Sequence, residues 1–416
     1  MTTVTSAWRL PDFRRIWTAG AFSSLGAEVG ELAVPVLALV TLGATASELS
    51  FVRVALLAPY LLLTLWLGVV VDRLPRRPLM IAADFGRGML LLGVCVCAVL
   101  GWLTIPVLIA ASALLGSLTV LYVIADFSLL PLVVDEPRLI DANARITAAQ
   151  SAIGVAGAGV GGVLVQVLTA PFALAVNAAG YLVSGVLITR VRVREAARPR
   201  AQRASAVSEA KAGLLALARH RVLRALVGEA ALWNLGNEVL MLALSLLLLQ
   251  DREYGPLVLG AVLMTLGVGA FVGSLLSRRL TARFGYGRSL VAALIVGNTA
   301  PLAGILAINT PGPVGLAALA GAFLLSGVGI GIANSQATSV RQLSVESAMR
   351  GRVNAGYRLV SWGALSIGAL LGGVLVTTLG VWPAAVVGAA IMAIASVPVA
   401  VSPVAGMRTL DDAAHA

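Results

Sequence analysis

Apolar stretches of about span length recur along the chain, each cut off by a cluster of charge or by proline and glycine. Twelve can be marked, at 15–42, 48–71, 79–100, 106–132, 146–168, 171–189, 223–249, 257–277, 289–308, 314–336, 354–378 and 382–402. An α-helix rises 1.5 Å per residue, so a hydrocarbon core of about 30 Å takes about 20 residues. Strands of a membrane barrel would be about half as long and would alternate in polarity, which these runs do not. The pattern predicts an all-α membrane protein of twelve transmembrane helices.

Composition agrees. Of 416 residues, 59% are hydrophobic and 12% charged, whereas soluble domains carry about 25% charged residues. So few ionisable groups cannot cover a water-facing surface, which excludes a soluble enzyme, a disordered chain and a secreted disulfide scaffold. The only cysteines, Cys95 and Cys97, stand i, i+2 in an apolar run, on different faces of one helix, and read as packing residues. The first apolar run is too long for a cleavable leader and is expected to stay as a span.

The formal charge of +11 acquires meaning once it is laid on the spans. Lys and Arg in short loops mark the cytoplasmic side, and 27 of the 30 basic residues fall in or directly flank the N-terminal segment, the even-numbered connections and the C-terminal tail. Arg252 alone sits in an opposite loop, and Arg53 and Arg87 lie deep inside spans. Both termini are therefore expected in the cytoplasm, and the basic 190–222 segment reads as a solvated or lipid-hugging linker beside anionic headgroups rather than a nucleic-acid binder.

The chain also repeats itself. Leu25-Gly26-Ala27-Glu28-Val29 recurs as Leu235-Gly236-Asn237-Glu238-Val239, an offset of 210, and Gly161-Gly162-Val163-Leu164-Val165 as Gly372-Gly373-Val374-Leu375-Val376, an offset of 211. Two matches at nearly one offset, in equivalent spans, predict an N-terminal six-helix bundle over 1–189, the linker 190–222, and a C-terminal six-helix bundle with a short tail over 223–416.

Gly68-Val-Val-Val-Asp72-Arg73-Leu-Pro-Arg76-Arg77 resembles the G-x-x-x-D-R-x-G-R-R/K loop of the major facilitator superfamily, with Pro75 in place of the glycine. A decayed copy, Gly273 to Arg279, has Ser277 where the acid would stand. Within the superfamily the chain most resembles bacterial drug and siderophore exporters, through Ala82-Ala83-Asp84 with Arg87, Leu130-Pro131, Ala142-Asn143 and Arg350-Gly351-Arg352-Val353. The resemblance implies the two-bundle fold and a signature loop that stabilises the state closed to the cytoplasm. Independently of it, Gly68 permits close backbone approach, and Asp72 with Arg73, Arg76 and Arg77 can form an ion-pair network between helix ends. Gly157, Gly161 and Gly162, with Gly372 and Gly373, form small-residue strips suited to close helix packing. The first strip resembles the antiporter G-P-x-x-G-G motif, with Ala158 replacing its proline.

Acids inside spans are costly, by about 2.5–3.5 kcal/mol at mid-helix, and so face partners or a watery cavity. Glu28 and Glu31 share one face, and Arg53 in span two lies at a depth matching Glu31, so those two can pair. Glu238 faces the same cavity from span seven, with Trp233, Asn234 and Asn237 nearby; Asp126 in span four lies nearer the cytoplasmic end, level with Asp84 and Arg87. Two readings stand side by side. In one, Glu28, Glu31 and Asp126 couple protons and bind substrate charge, joined by Glu238, Asn234 and Asn334; in the other the charges are static pairs, as favoured for Asp84 with Arg87.

No enzyme motif, metal set or nucleotide loop is evident, and no cofactor is expected. The expectation is a monomeric secondary transporter of the bacterial inner membrane, exporting a small hydrophobic or cationic, drug-like compound by exchange for protons through alternating access. Export of a siderophore or pathway metabolite, import by the same fold, and a transport-inactive receptor or scaffold are the alternatives.

Overall fold

In the computed structural model, residues 6–135, 138–193, 206–310, 313–344, 350–409 and 412 are described. Arg194, Arg198, Arg200 and Arg203 of the linker lie outside them, as do the side chains of Asp72 and Arg350. The helices of the first half are α1 (Pro11–Val36), α2 (Ala46–Leu62), α3 (Thr64–Arg73), α4 (Arg76–Val99), α5 (Ile105–Val133), α6 (Leu139–Leu168) and α7 (Ala170–Thr189). A linker helix α8 (Ala206–Arg219) leads to α9 (Arg221–Leu246), α10 (Gly255–Phe284), α11 (Tyr286–Ala307), α12 (Pro313–Leu343), α13 (Arg350–Leu379), α14 (Val381–Ile394) and the short α15 (Val397–Ala400). Among the described residues, eleven helices are long and apolar enough to cross a membrane, and twelve when α2 and α3 are taken as one span bent by 55° at Leu63, a turn beyond Pro59.

Start and stop signals are conventional. Pro11 opens α1 and Pro256 lies in the first turn of α10, where a missing N–H costs nothing. Thr45 and Glu48 close a capping box at the start of α2, the Thr45 amide donating to Glu48 Oε2 at 2.8 Å. Gly285 and Gly380, at φ 82° and 93°, turn the chain between helices in a conformation other residues rarely adopt. Several helices outrun the apolar runs: α6 begins at Leu139 rather than 146, and α12 continues to Leu343 rather than 336. Helix propensity does not end at the membrane boundary, so a hydrophobicity count sees only the part inside it.

The basic loops gather at one end of the bundle. Arg15 donates to the Arg190 carbonyl at 2.7 Å, the Trp17 indole to that of Arg145 at 3.1 Å, and the Tyr286 amide to that of Arg408 at 3.2 Å. At the opposite end α1 and α9 each finish in a widened π turn, Leu37–Thr41 and Leu247–Asp251, and the two turns touch. Buried Leu37, Leu39, Leu247 and Leu248 seal this end.

Helices α1–α7 pack among themselves, as do α9–α14, and the halves meet along two seams, α2 against α13 and α6 against α10. The repeat is visible atom by atom. A Cβ on Gly161 would lie 3.3 Å from Val29 Cα, and one on Gly372 would lie 3.2 Å from Val239 Cα. Gly157 abuts the Glu28 side chain as Gly368 abuts that of Glu238. At the seams, Gly162 backs onto Gly260 and the Pro256 carbonyl, while Gly373 backs onto Ser50, whose hydroxyl donates to the Ala369 carbonyl at 2.8 Å. The predicted glycine strips thus seat spans one and seven in their own bundles and close both seams, a role that needs no proline in the motif.

Candidate functional site

Between the halves lies a cavity of about 970 Å³. Its inner wall is Glu28 and Glu31 from α1 with Trp233, Asn237, Glu238 and Met241 from α9, and it runs past Thr147 and Ser151 on α6 to Leu275 on α10 and Thr338 on α12. Those last residues stand beside Arg145, Arg278 and Arg341 in sequence, so the cavity reaches toward the basic end, while the π turns shut the other.

At the cavity's blind end one guanidinium holds two carboxylates from different halves. Arg53 Nη2 donates to both Glu238 oxygens at 2.9 Å, its Nε approaches Oε2 at 3.3 Å, and its Nη1 reaches Glu31 Oε1 at 2.5 Å. The Arg53 and Glu238 side chains are 8% and 6% exposed, that of Glu31 53%. The Glu31–Arg53 pair is as expected from matching depth. Glu238 has no cation on its own helix and is clamped by Arg53: the cation comes across the seam, where counting along a single helix cannot see it.

The repeat sharpens this arrangement. Glu28 is the counterpart of Glu238, yet the counterpart of Arg53 is Leu263, 210 residues on. Glu28 and Leu263 both line the cavity, and Glu28 makes no ion pair among the described residues. Two related acids thus have opposite surroundings, one chelated by arginine and one facing the cavity with no ion pair among the described residues.

Asp126 does not join them. Its electrostatic neighbours are Asp84 and Arg87, and it lines none of the described cavities. That cluster is internal to the first half: Asp84 and Arg87 pair at 0% and 2% exposure, Ser184 donates to Asp84 at 2.6 Å, and the guanidinium lies over the rings of Tyr122 and Tyr181 at 4.3 and 4.1 Å. The pairing of Asp84 with Arg87 matches the static expectation. Equal depth placed Asp126 beside them correctly, but depth says nothing about which way a helix faces.

Trp233 and Asn334 line both the central cavity and a smaller chamber of about 290 Å³ within the second half. Asn234 lines the chamber, its amide donating to the Ser361 carbonyl at 2.7 Å. Glu229, Arg341 and Trp362 also line it and were missed. Glu229 is an acid inside span seven, and the rule that flagged Glu238 applies equally to it. Arg341 and Arg358, which flank the basic connection between spans ten and eleven, also make ring contacts: Arg341 stacks on Tyr357 at 4.1 Å, and Arg358 lies between Phe127 of the first half and Trp362 of the second, 5.2 and 5.1 Å from their rings.

In the signature loop, Pro75 precedes α4 and Arg76 is buried. Arg77 donates to the carbonyls of Ile188 at 3.1 Å and Thr189, tying the loop to the end of α7, and Arg73 is exposed. Gly68, expected to allow close approach, faces open space, with no atom within 4 Å of where a Cβ would stand. The bend at Leu63 places α3 against α8.

The sequence profile of the Major Facilitator Superfamily matches residues 16–363. The chain belongs to that superfamily. Among solved structures, this major facilitator resembles a bacterial homologue of the iron transporter ferroportin in an inward-facing state, with a TM-score of 0.73 at 18% identity over 95% of this chain and 98% of that one. It resembles the nucleoside transporter NupG at 0.66 and 14% identity, over 94% and 97%. A bacterial homolog of the human lysosomal transporter Spinster, inward-facing and unoccupied, gives 0.64 at 14% over 97% of both chains. At such identities the likeness is one of fold. No curated protein matches the chain.

Proposed function

We propose that this chain is a secondary active transporter of the bacterial inner membrane that exports a small hydrophobic or cationic compound in exchange for protons. The observation that carries the reading is the asymmetric pair of acids in the inter-half cavity: Glu238 locked to Arg53 across the seam, and its repeat counterpart Glu28 facing the cavity without a cation. Glu28 can exchange a proton, or take a cationic group, without breaking an ion pair. Glu238 can do so only by releasing Arg53, which loosens the contact between the halves. Binding at one acid and gating at the other gives the coupling that alternating access requires.

With the basic end in the cytoplasm, as the positive-inside rule directs, the conformation described is open inward, and both termini are cytoplasmic. The signature loop would take up its latching role in the opposite state, when Gly68 and the arginines after it meet the second half. The protein works as a monomer in lipid with no partner chain.

The test is proton movement in proteoliposomes carrying the purified chain, with an imposed pH gradient and a panel of lipophilic cations. Substrate-dependent proton flux that is lost in Glu28→Gln supports the reading. Flux that persists in the Glu28→Gln, Glu238→Gln double variant removes these acids from the coupling path, and no flux with any cation overturns transport of this class.

A further inference from the structure

The smaller chamber in the second half has its own chemistry, which proton coupling at Glu28 and Glu238 does not use. It is bounded by α9, α11, α12 and α13, and it shares Trp233, Ile330, Asn334 and Thr338 with the central cavity. Charges of opposite sign line it without forming an ion pair with each other. Glu229 accepts from Asn298 Nδ2 at 3.3 Å and has no cationic partner among the described residues. Arg341 stacks on the Tyr357 ring, and its Nε is buried without a hydrogen-bond partner.

Trp233 Nε1 and Ser361 Oγ are buried and unpartnered in the same walls. Leaving a polar atom so is costly, and folded proteins seldom tolerate it without a reason. Two such atoms, an acid and a guanidinium whose own Nε is unpartnered, around one small space, make a built site rather than a packing accident. Its volume of about 290 Å³ lies at the lower bound of small-molecule pockets, about 300 Å³. A metabolite-sized group fits and a whole drug-sized molecule does not.

We propose that this chamber receives the polar head of the substrate and that the head is zwitterionic. An ammonium group sits against Glu229, and a carboxylate or similar anion takes the Arg341 guanidinium and the Trp233 indole N–H. The attached hydrocarbon lies along the rings of Trp233, Tyr357 and Trp362, and the rest of the molecule extends into the central cavity. The proposal rests on the transport reading above and narrows its substrate from cationic to amphoteric.

Three probes with one hydrocarbon body test it: L-phenylalanine, phenethylamine and 3-phenylpropionate, zwitterion, cation and anion in turn. The measurement is thermal stabilisation of the full chain in detergent at neutral pH. Phenylalanine is expected to half-saturate at a concentration at least tenfold lower than either analogue. Glu229→Gln should erase its advantage over 3-phenylpropionate, and Arg341→Gln its advantage over phenethylamine. The wild-type comparison stands even where a variant does not fold: equal binding of the three probes, or stabilisation by none, overturns the proposal. Selective phenylalanine binding with no proton flux for any compound would overturn the transport reading and leave the subsite standing. Flux with indiscriminate binding would do the reverse.

Discussion

Replacing Arg53 with leucine, the residue its repeat counterpart carries, separates the two carboxylates it holds. The Glu238 side chain is 6% exposed and receives three N–H contacts from the guanidinium at 2.9–3.3 Å. Removing one partner of such a pair leaves a buried carboxylate uncompensated, at a cost of about 3–5 kcal/mol. Glu31, at 53% exposure, is screened by water, so Glu31→Gln should cost no more than about 1 kcal/mol. Most of the Arg53→Leu penalty should be recovered in Arg53→Leu, Glu238→Gln, because the amide carries no charge to strand. Unfolding in mixed micelles reads these differences. The same clamp ties α2 to α9 at the closed end, so its loss should also open that end. A cysteine at buried Leu248, with Cys95 and Cys97 replaced by serine, should react with a water-soluble maleimide at least tenfold faster without Arg53. An Arg53→Leu variant no less stable than Glu31→Gln, or a double variant no more stable than the single, would refute the clamp; an unchanged labelling rate would refute its role in closing the helix ends.

Leu263→Arg supplies Glu28 with the cation it lacks, and is expected to lower substrate-driven proton flux at least tenfold while binding in the second-half chamber is retained. Gly269→Ala would set a Cβ 2.0 Å from the Leu324 carbonyl, and Gly327→Ala one 2.0 Å from that of Leu266. Overpacking of this kind costs about 1–3 kcal/mol, so both should lose folded yield in detergent, whereas Gly68→Ala, which meets open space, should keep it and lose transport if the loop closes in the outward state. Asp412 accepts from the amides of Arg408 and Thr409 at 2.7 and 3.0 Å, which holds its carboxyl below the ordinary value. A depressed folded value stabilises the tail above the ordinary carboxylate range, and that stabilisation is lost as pH falls from that range through the lowered value. Hydrogen exchange at these two amides should therefore speed up on acidification, beyond the intrinsic rate, and Asp412→Asn should remove the effect.

How far the fold was legible follows from what each signal measures. Apolar run length and arginine placement are one-dimensional quantities imposed by the bilayer, and they located every span, while missing how far α6 and α12 continue beyond it. Repeats preserve contacts, so Gly157 and Gly161 could be read through Gly368 and Gly372. Helix rotation and contacts between halves leave no such trace. Asp126 and Glu28 look alike in sequence, yet one neighbours Arg87 within a bundle and the other lines the cavity. The Arg53 clamp on Glu238 joins residues 185 apart, and neither carries a local mark of the other. Glu229 was within reach of the rule applied to Glu238, and Arg341 was hidden because a topological explanation of its charge already sufficed.

The two glycine seams carry a kinetic consequence. Gly162 on Gly260, and Gly373 on Ser50, sit on opposite flanks of the molecule at equivalent places in the repeat, the first pair meeting backbone to backbone and the second through the Ser50 side chain. If the halves tilt against each other, these contacts are the fulcrum, and atoms at a fulcrum keep their neighbours in both extremes. A larger side chain there would strain the inward and outward forms alike, leaving their ratio and the equilibrium affinity in place while slowing the swing between them. Substitutions at Arg53 act at the end of the lever and shift populations; substitutions at Gly162 or Gly373 act as a brake.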